Sequence, residues 1–327
     1  MARELLHQLE EKALSGSGIS TEEGRRLVRL PETNLFDILA STERIRRHFK
    51  GVDVNLCSIV NAKSGLCAED CTFCAQSSRY NTGVDTYPML PADRIVESAR
   101  TASHHGAREF SIVTSGTGVH HSHDVDILTE ALGGIDRETN LESCASLGIM
   151  KEETLMQLKE AGLHSYHHNL ETARSFFPKV CTTHDYEDDV ETVRLAKELG
   201  FYVCSGGVFG LGESWEQRVE LAETLRELDV DSVPINFLNP RPATPLENAH
   251  NLTPRECLMI IALFRFMLPA KDIVICGGRE VNLRELQPLI FAAGANGMMV
   301  GNYLTTPGRD STKDLAMIED LGLRPRE

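Results

Sequence analysis

Residues 54–78 read VNLCSIVNAKSGLCAEDCTFCAQSS, a short β-branched and apolar run followed by a polar loop with three cysteines. The run VNLCSIV (54–60) predicts a strand. Outward from it the rhythm repeats, with strand patterns at EFSIVTSG (109–116), ESCASLG (142–148), SYHHNLET (165–172), YVCSGGVFG (202–210), VPINFLN (233–239), DIVICGG (272–278) and GMMVGN (297–302). Between them lie stretches with apolar residues at helical spacing, such as PADRIVESARTASHHG, KEETLMQLKEAG, DDVETVRLAKELG, SWEQRVELAETLREL, PRECLMIIALFRFML and NLRELQPLIFAAG, several ending in the glycine that commonly closes a helix. Eight strands separated by helices predict an α/β fold of the (β/α)8 TIM type. The expected organisation is a helical N-terminal extension over residues 1–50, a barrel over 51–306 and a C-terminal tail over 307–327. The cysteine-bearing loop follows the first strand, at the end of the barrel where active sites lie.

The net charge of -15 argues against a nucleic-acid partner, which requires a basic face. No apolar run reaches the roughly 20 residues of a membrane-spanning helix, and the opening MARELLHQLEEKAL is charged and amphipathic rather than a signal peptide. A cytoplasmic location is expected. Thiols stay reduced there, so the nine cysteines read as metal ligands, catalytic groups or small core residues and not as disulfides.

Cys67, Cys71 and Cys74 are spaced C-x-x-x-C-x-x-C, with no fourth cysteine nearby. A zinc site normally takes four ligands, with its cysteines in pairs. Three thiolates on one loop instead suit three corners of an iron–sulfur cubane, leaving one iron open to another molecule. The spacing, with Phe73 before the last cysteine, resembles the radical S-adenosylmethionine (SAM) enzymes. That resemblance implies a 4Fe–4S cluster on Cys67, Cys71 and Cys74 whose open iron is chelated by SAM, and a 5′-deoxyadenosyl radical as the product of reductive cleavage.

Four further cysteines fall one to each odd strand: Cys57 on the first, Cys144 on the third, Cys204 on the fifth and Cys276 on the seventh. Inward side chains of alternate barrel strands form layers of four, so these thiols are expected to make one inward-facing ring around a second iron–sulfur cluster. Cys181, beside TTHDY, and Cys257, on an amphipathic helix, lack the pattern and read as structural.

CAEDCTFCAQSSRYNTG, YHHNLET, VCSGGVFGLGE, VPINFLNP, ATPLE, GGRE and AGANGMMVGNYLTT together resemble the biotin synthase family across the whole barrel. The resemblance implies insertion of sulfur into dethiobiotin to form biotin, with SAM as co-substrate and an auxiliary cluster as sulfur donor. It also implies a reductant protein such as flavodoxin or ferredoxin, and a homodimer. Carried over by position, Asn169 and Glu171 fall near substrate and ribose, and Asn236 matches a substrate-contacting asparagine. Each is a polar group at a strand end, able to fix a ureido ring or sugar hydroxyls.

The sequence departs from the family at two points. The usual auxiliary site is a 2Fe–2S cluster held by three cysteines and an arginine; Cys144 and Cys204 match, but Ser111 and Val274 stand where a cysteine and the arginine are expected. Cys57 and Cys276 are additional, and residues 274 and 276 point the same way along a strand. The expectation is an auxiliary cluster of four irons with an extra sulfide, its ligands drawn from Cys57, Cys144, Cys204 and Cys276. The competing readings are a related radical SAM mutase or maturase-like enzyme without sulfur insertion, and a non-catalytic iron–sulfur carrier.

Overall fold

In the computed structural model, which describes residues 2–326, all eight predicted strands form and close into a parallel barrel. They are β1 (Asp53–Lys63), β2 (Glu109–Thr114), β3 (Glu142–Ser146), β4 (Ser165–His167), β5 (Tyr202–Cys204), continued by β6 (Gly207–Phe209), then β7 (Ser232–Phe237), β8 (Asp272–Ile275) and β9 (Gly297–Met299). β5 and β6 pair with β7 in one register, Cys204 with Ser232 and Gly207 with Ile235, so they are one barrel strand interrupted at Ser205 and Gly206. The interruption brings backbones close together. A Cβ on Gly206 would sit 2.1 Å from the Pro234 carbonyl oxygen, and one on Gly207 would sit 2.3 Å from that of Glu171. Only glycine fits this CSGG corner.

Three helices precede the barrel, α1 (Ala2–Leu14), α2 (Thr21–Val28) and α3 (Leu35–Lys50). Helices α4 (Ala92–His104), α5 (Ser122–Glu138), α6 (Glu152–Glu160), α7 (Tyr186–Glu198), α8 (Trp215–Glu227) and α9 (Pro254–Met267) follow successive strands. Reciprocal capping boxes start α7 (Asp185 with Asp188), α8 (Ser214 with Gln217) and α9 (Thr253 with Glu256). The N-terminal helices dock on the outer ring, where the Ile19 N–H donates to the Phe266 carbonyl and Arg226 donates to the Ile19 carbonyl. The pattern at 282–294 does not make one helix. It breaks into α10 (Arg279–Leu283) and α11 (Leu289–Ala292), because Arg284 takes φ +52° and Pro288 supplies no N–H. Of the tail, residues 307–326 are described: α12 (Ser311–Asp320) is tied to the barrel by a fully buried Arg279–Asp314 ion pair, and β10 (Arg324–Pro325) pairs with the start of β1.

Pairing fixes the height of every inward side chain. Following the register from Cys57 through Glu109 and Glu142 around the sheet returns to β1 eight residues away, the shear of a TIM barrel. At the N-terminal end Asp272 closes the barrel. Lys50 pairs with it at 2.5 Å, and Tyr202 (2.5 Å) and Asn296 (2.7 Å) donate hydrogen bonds to it.

Burial alone would raise the Asp272 pKa, but Lys50 and the two donors outweigh it and hold the carboxyl below the ordinary aspartate value. A depressed folded-state pKa gives stability that is complete above the unfolded value, about 3.9, and is lost as pH falls through the folded value. Asp272→Asn is therefore expected to lower neutral-pH stability by roughly 3 kcal/mol by stranding Lys50, and to flatten the fall of the melting midpoint between pH 5 and 3. An unchanged acid limb, read from thermal melts across that range, would count against the network.

Candidate iron–sulfur and substrate site

The triplet loop leaves β1 and is bent back by its own backbone: Cys67 N–H donates to the Gln76 carbonyl, Ser78 N–H to that of Cys67, and Cys74 N–H to that of Cys71. The Gln76 side-chain oxygen accepts from Ser64 (3.1 Å) and from the Gly65 N–H (3.2 Å). Phe73 packs beside Phe176, Val180, Leu211 and Leu238, which anchors the loop to the barrel mouth. The three cysteines are half-buried on this loop. Their spacing and partial exposure fit three corners of a cluster with one open to a further ligand.

The neighbouring loop after β4 clamps this arrangement. Asp70 accepts from Thr182, and Glu69 accepts from Thr117 (2.7 Å) and bonds His184 (2.8 Å). Cys181, expected only to pack, sets its thiol against that of Cys71 and lies 3.3 Å from Asp70 Oδ1 and from His184 Nδ1. Contact with Cys181, then burial, pushes the Cys71 thiol up, and burial pushes Cys74 to about 11. Cys257 is buried on α9 among apolar side chains.

Inside the barrel, Cys57, Cys144, Cys204 and Cys276 are all buried. The single ring expected of them does not form. With a one-residue rise per strand, the layer is Cys57, Cys144, Cys204 and Val274, and Cys276 stands two residues further up β8 toward the mouth. Cys276 nevertheless meets Cys57, and the two thiols pack with Val274 and Met299. Between the two levels lies the layer of Ser111, His167, Pro234 and Met299, and below lies Glu109. Cys57, Cys204 and Cys276 line one cavity of about 270 Å³ with these residues. Cys144 stands behind that lining, its thiol within 4.8 Å of the Glu109 carboxylate and of a His167 ring nitrogen.

Burial pushes the Cys144 and Cys204 thiols well up, and contact with Cys276, then burial, does the same to Cys57. Burial also raises Glu109 and lowers His167 to about 4, which keeps the imidazole neutral. Such a desolvated set of soft donors fits an iron–sulfur group, which exchanges their protons for metal. His167 and Glu109 were not singled out from the sequence.

Asn169 and Asn236 share a layer above Cys276 and line the same cavity. Each also braces a strand end, Asn169 Oδ1 accepting from the Gly206 N–H (3.2 Å) and Asn236 Oδ1 from that of Gly277 (2.9 Å). Asn236 Nδ2 also donates to the Gly207 carbonyl (3.4 Å) and the Asn169 amide bonds Glu171, so each amide keeps one N–H for another partner. Glu171 takes φ +60°, a conformation costly for a residue with a side chain and concentrated at functional sites. Burial, with Asp189 nearby, pushes it to about 8, and its Oε2 has no hydrogen-bond partner among the described residues. Two further cavities adjoin the first through Tyr303, Leu304 and Thr305. Arg241 lines both, and its Nε is buried without a hydrogen-bond partner among the described residues.

No helix among the described residues is long and apolar enough to cross a membrane. Comparison with known proteins agrees with this geometry. The Radical SAM superfamily profile matches residues 63–225, and that of the Biotin and Thiamin Synthesis associated domain matches residues 234–324. The chain is 54% identical over 313 residues to the biotin synthase of Pelobacter propionicus, covering 96% of this chain and 95% of that one. It is 54% identical over 318 residues to the Geotalea daltonii biotin synthase, covering 97% of each. Among solved structures, methylornithine synthase superposes with a TM-score of 0.85 at 22% identity, covering 98% of this chain and 97% of that one. The FeFe-hydrogenase maturase HydG from Carboxydothermus hydrogenoformans superposes with 0.83 at 17%, covering 99% and 80%. These two show the shared fold alone. The sequence identity is what separates this chain from a mutase or a maturase, and the chain belongs to the biotin synthase family of radical SAM enzymes.

Proposed function

We propose that this enzyme inserts sulfur into dethiobiotin, with Cys67, Cys71 and Cys74 holding the SAM-binding 4Fe–4S cluster. Cys57, Cys144, Cys204 and Cys276 then hold a second cluster, of four irons with an extra sulfide, as sulfur source. With cluster and SAM bound at the mouth, the chemistry supplied is reductive cleavage of SAM to a 5′-deoxyadenosyl radical able to take hydrogen from an unactivated carbon. The residues of this chain position and enclose that chemistry. Glu171 accepts the ribose hydroxyls, and the one remaining N–H of each of Asn169 and Asn236 holds the ureido oxygen over Cys276. The closed lower layers keep water from the radical. A reductant protein such as flavodoxin or ferredoxin supplies the electron, and the chain works as a homodimer in the cytoplasm.

The observation that carries the four-iron reading is the height of the thiols. Three lie in one layer and the fourth is displaced along the barrel axis, next to Cys57. Four donors out of one plane suit the corners of a cuboid cluster, whereas Val274 leaves the plane of the three with an apolar fourth side. Anaerobic reconstitution is expected to give about eight irons per chain, falling by about four in Cys57→Ala or Cys276→Ala while SAM cleavage survives. Four irons in the parent chain, unaffected by either substitution, would sink the second cluster. Incubation with dethiobiotin, SAM and dithionite is expected to yield biotin in the parent and none in those variants.

The substrate carries a carboxylate tail, and Arg241, which lines both outer cavities with its Nε unpartnered among the described residues, is its proposed partner. Loss of a hydrogen bond to a charged group costs about 1.5–3 kcal/mol. Arg241→Gln is accordingly expected to weaken dethiobiotin binding roughly 10- to 100-fold, measured by equilibrium dialysis. It should have little effect on the methyl ester, which serves as the internal control; equal losses for acid and ester would remove Arg241 from this role.

A further inference from the structure

Between the two thiol levels a single nitrogen base faces the cavity. His167 stands on β4, level with Ser111, Pro234 and Met299, above the layer of Cys57, Cys144 and Cys204 and below Cys276. Its Nδ1 lies 3.4 Å from the Ser111 hydroxyl. Its Nε2 is buried and has no hydrogen-bond partner among the described residues. An orphaned buried ring nitrogen costs free energy unless something else occupies the cavity. The Ser111 side chain is itself buried and has no other bonding partner described, so its O–H is free to donate to Nδ1. A neutral imidazole has one donor and one acceptor nitrogen, and accepting at Nδ1 leaves the proton on Nε2.

We infer that Ser111 and His167 form a relay that points an N–H at a sulfur of the second cluster, His167 touching the cluster and Ser111 fixing its tautomer. This rests on the reading of a second cluster in the barrel, and concerns what that cluster meets besides cysteine. The four thiolates satisfy four irons, so the imidazole serves a sulfur and not a metal. A donor to cluster sulfur stabilises the reduced, more negative state and raises the reduction potential. It is also a neutral device, which suits a cavity already holding four thiolates above the Glu109 carboxylate. Serine on β2, where the family's usual site has a cysteine, thereby acquires a use: a thiolate there would compete for iron, whereas a hydroxyl orients the ring.

The test uses the full chain, reconstituted anaerobically, with iron counted first. About four irons per chain would overturn the second cluster and this inference with it. At about eight irons, potentiometric titration followed by EPR reads both clusters. His167→Leu is expected to move the potential of the second cluster to a more negative value and leave the SAM-binding cluster unmoved. Ser111→Ala should shift it the same way by less, and His167→Gln, which keeps an N–H, should recover part of the loss. Pulsed EPR of the parent protein labelled with ¹⁵N-histidine should show a weak nitrogen coupling to the reduced second cluster. If His167→Leu fails to load iron, the labelled parent decides alone. Unmoved potentials at full iron content, or no histidine coupling, would overturn the relay. A coupling as strong as that of an iron-bound imidazole would overturn it too, and make His167 a ligand.

Discussion

Parallel closure of eight strands with a shear of eight is the constraint on which every functional placement here depends. Each strand pair adds one residue of rise, so a side chain's height follows from register alone. That rise stacks the interior as Glu109 and Ser232, then three cysteines with Val274, then Ser111 and His167, then Cys276, then Asn169 and Asn236. A two-residue slip of β8 would bring Cys276 down into the plane of the other thiols, and a one-residue slip would turn it out of the barrel. The Asp272 network pins β8 against exactly that movement from below, and the Gly206–Gly207 corner lets β4, β6 and β7 approach closely enough to hold register above.

The same stacking sorts the chemistry by solvent. The triplet thiols stay half-buried at the mouth, whereas the deeper four lose water almost completely. Desolvation favours the protonated thiol, so on the proposed second cluster, loading of the lower cavity would release protons into a space whose exit lies past Asn169, Asn236 and Tyr303. Asn169, Asn236 and Tyr303 put polar groups along an otherwise largely apolar path. The strain at Glu171, φ +60° with an unpartnered carboxylate oxygen, sits next to Asn169 on that path.

Much of this was legible along the chain because strands and helices are local signals. The short apolar and β-branched runs marked all eight strands, and helical periodicity marked most of the outer helices. At 282–294 the periodicity misled, since Pro288 breaks the hydrogen-bond ladder without disturbing the apolar spacing. The triplet could be read directly, its ligand chemistry lying within eight residues. Height inside the barrel could not. The level of Cys276 relative to Cys57 accumulates over six pairings around the sheet, so strand parity suggested a ring where the register gives three thiols and a fourth above. His167 was hidden for a similar reason: in YHHNLET one histidine faces the barrel and the next, His168, bonds Asp189 outside it, and nothing local to the sequence tells them apart except the alternation of an uncertain strand end.

Val274 shows why a departure from a family's pattern has to be weighed in three dimensions. A charged residue at that height would face Cys57, Cys144 and Cys204 directly and complete a flat set of four. Valine instead packs with Cys57, Cys276 and Met299, giving that wall no donor. The remaining thiol is Cys276, displaced toward the mouth and therefore toward Asn169 and Asn236. On the proposed ligand set, moving one thiol up the axis would both deepen the cage and carry its upper edge closer to the mouth. A sulfur carried at that edge has the shorter path to substrate, which gives a physical reason for losing a charge at 274 and gaining a thiol at 276 together rather than separately.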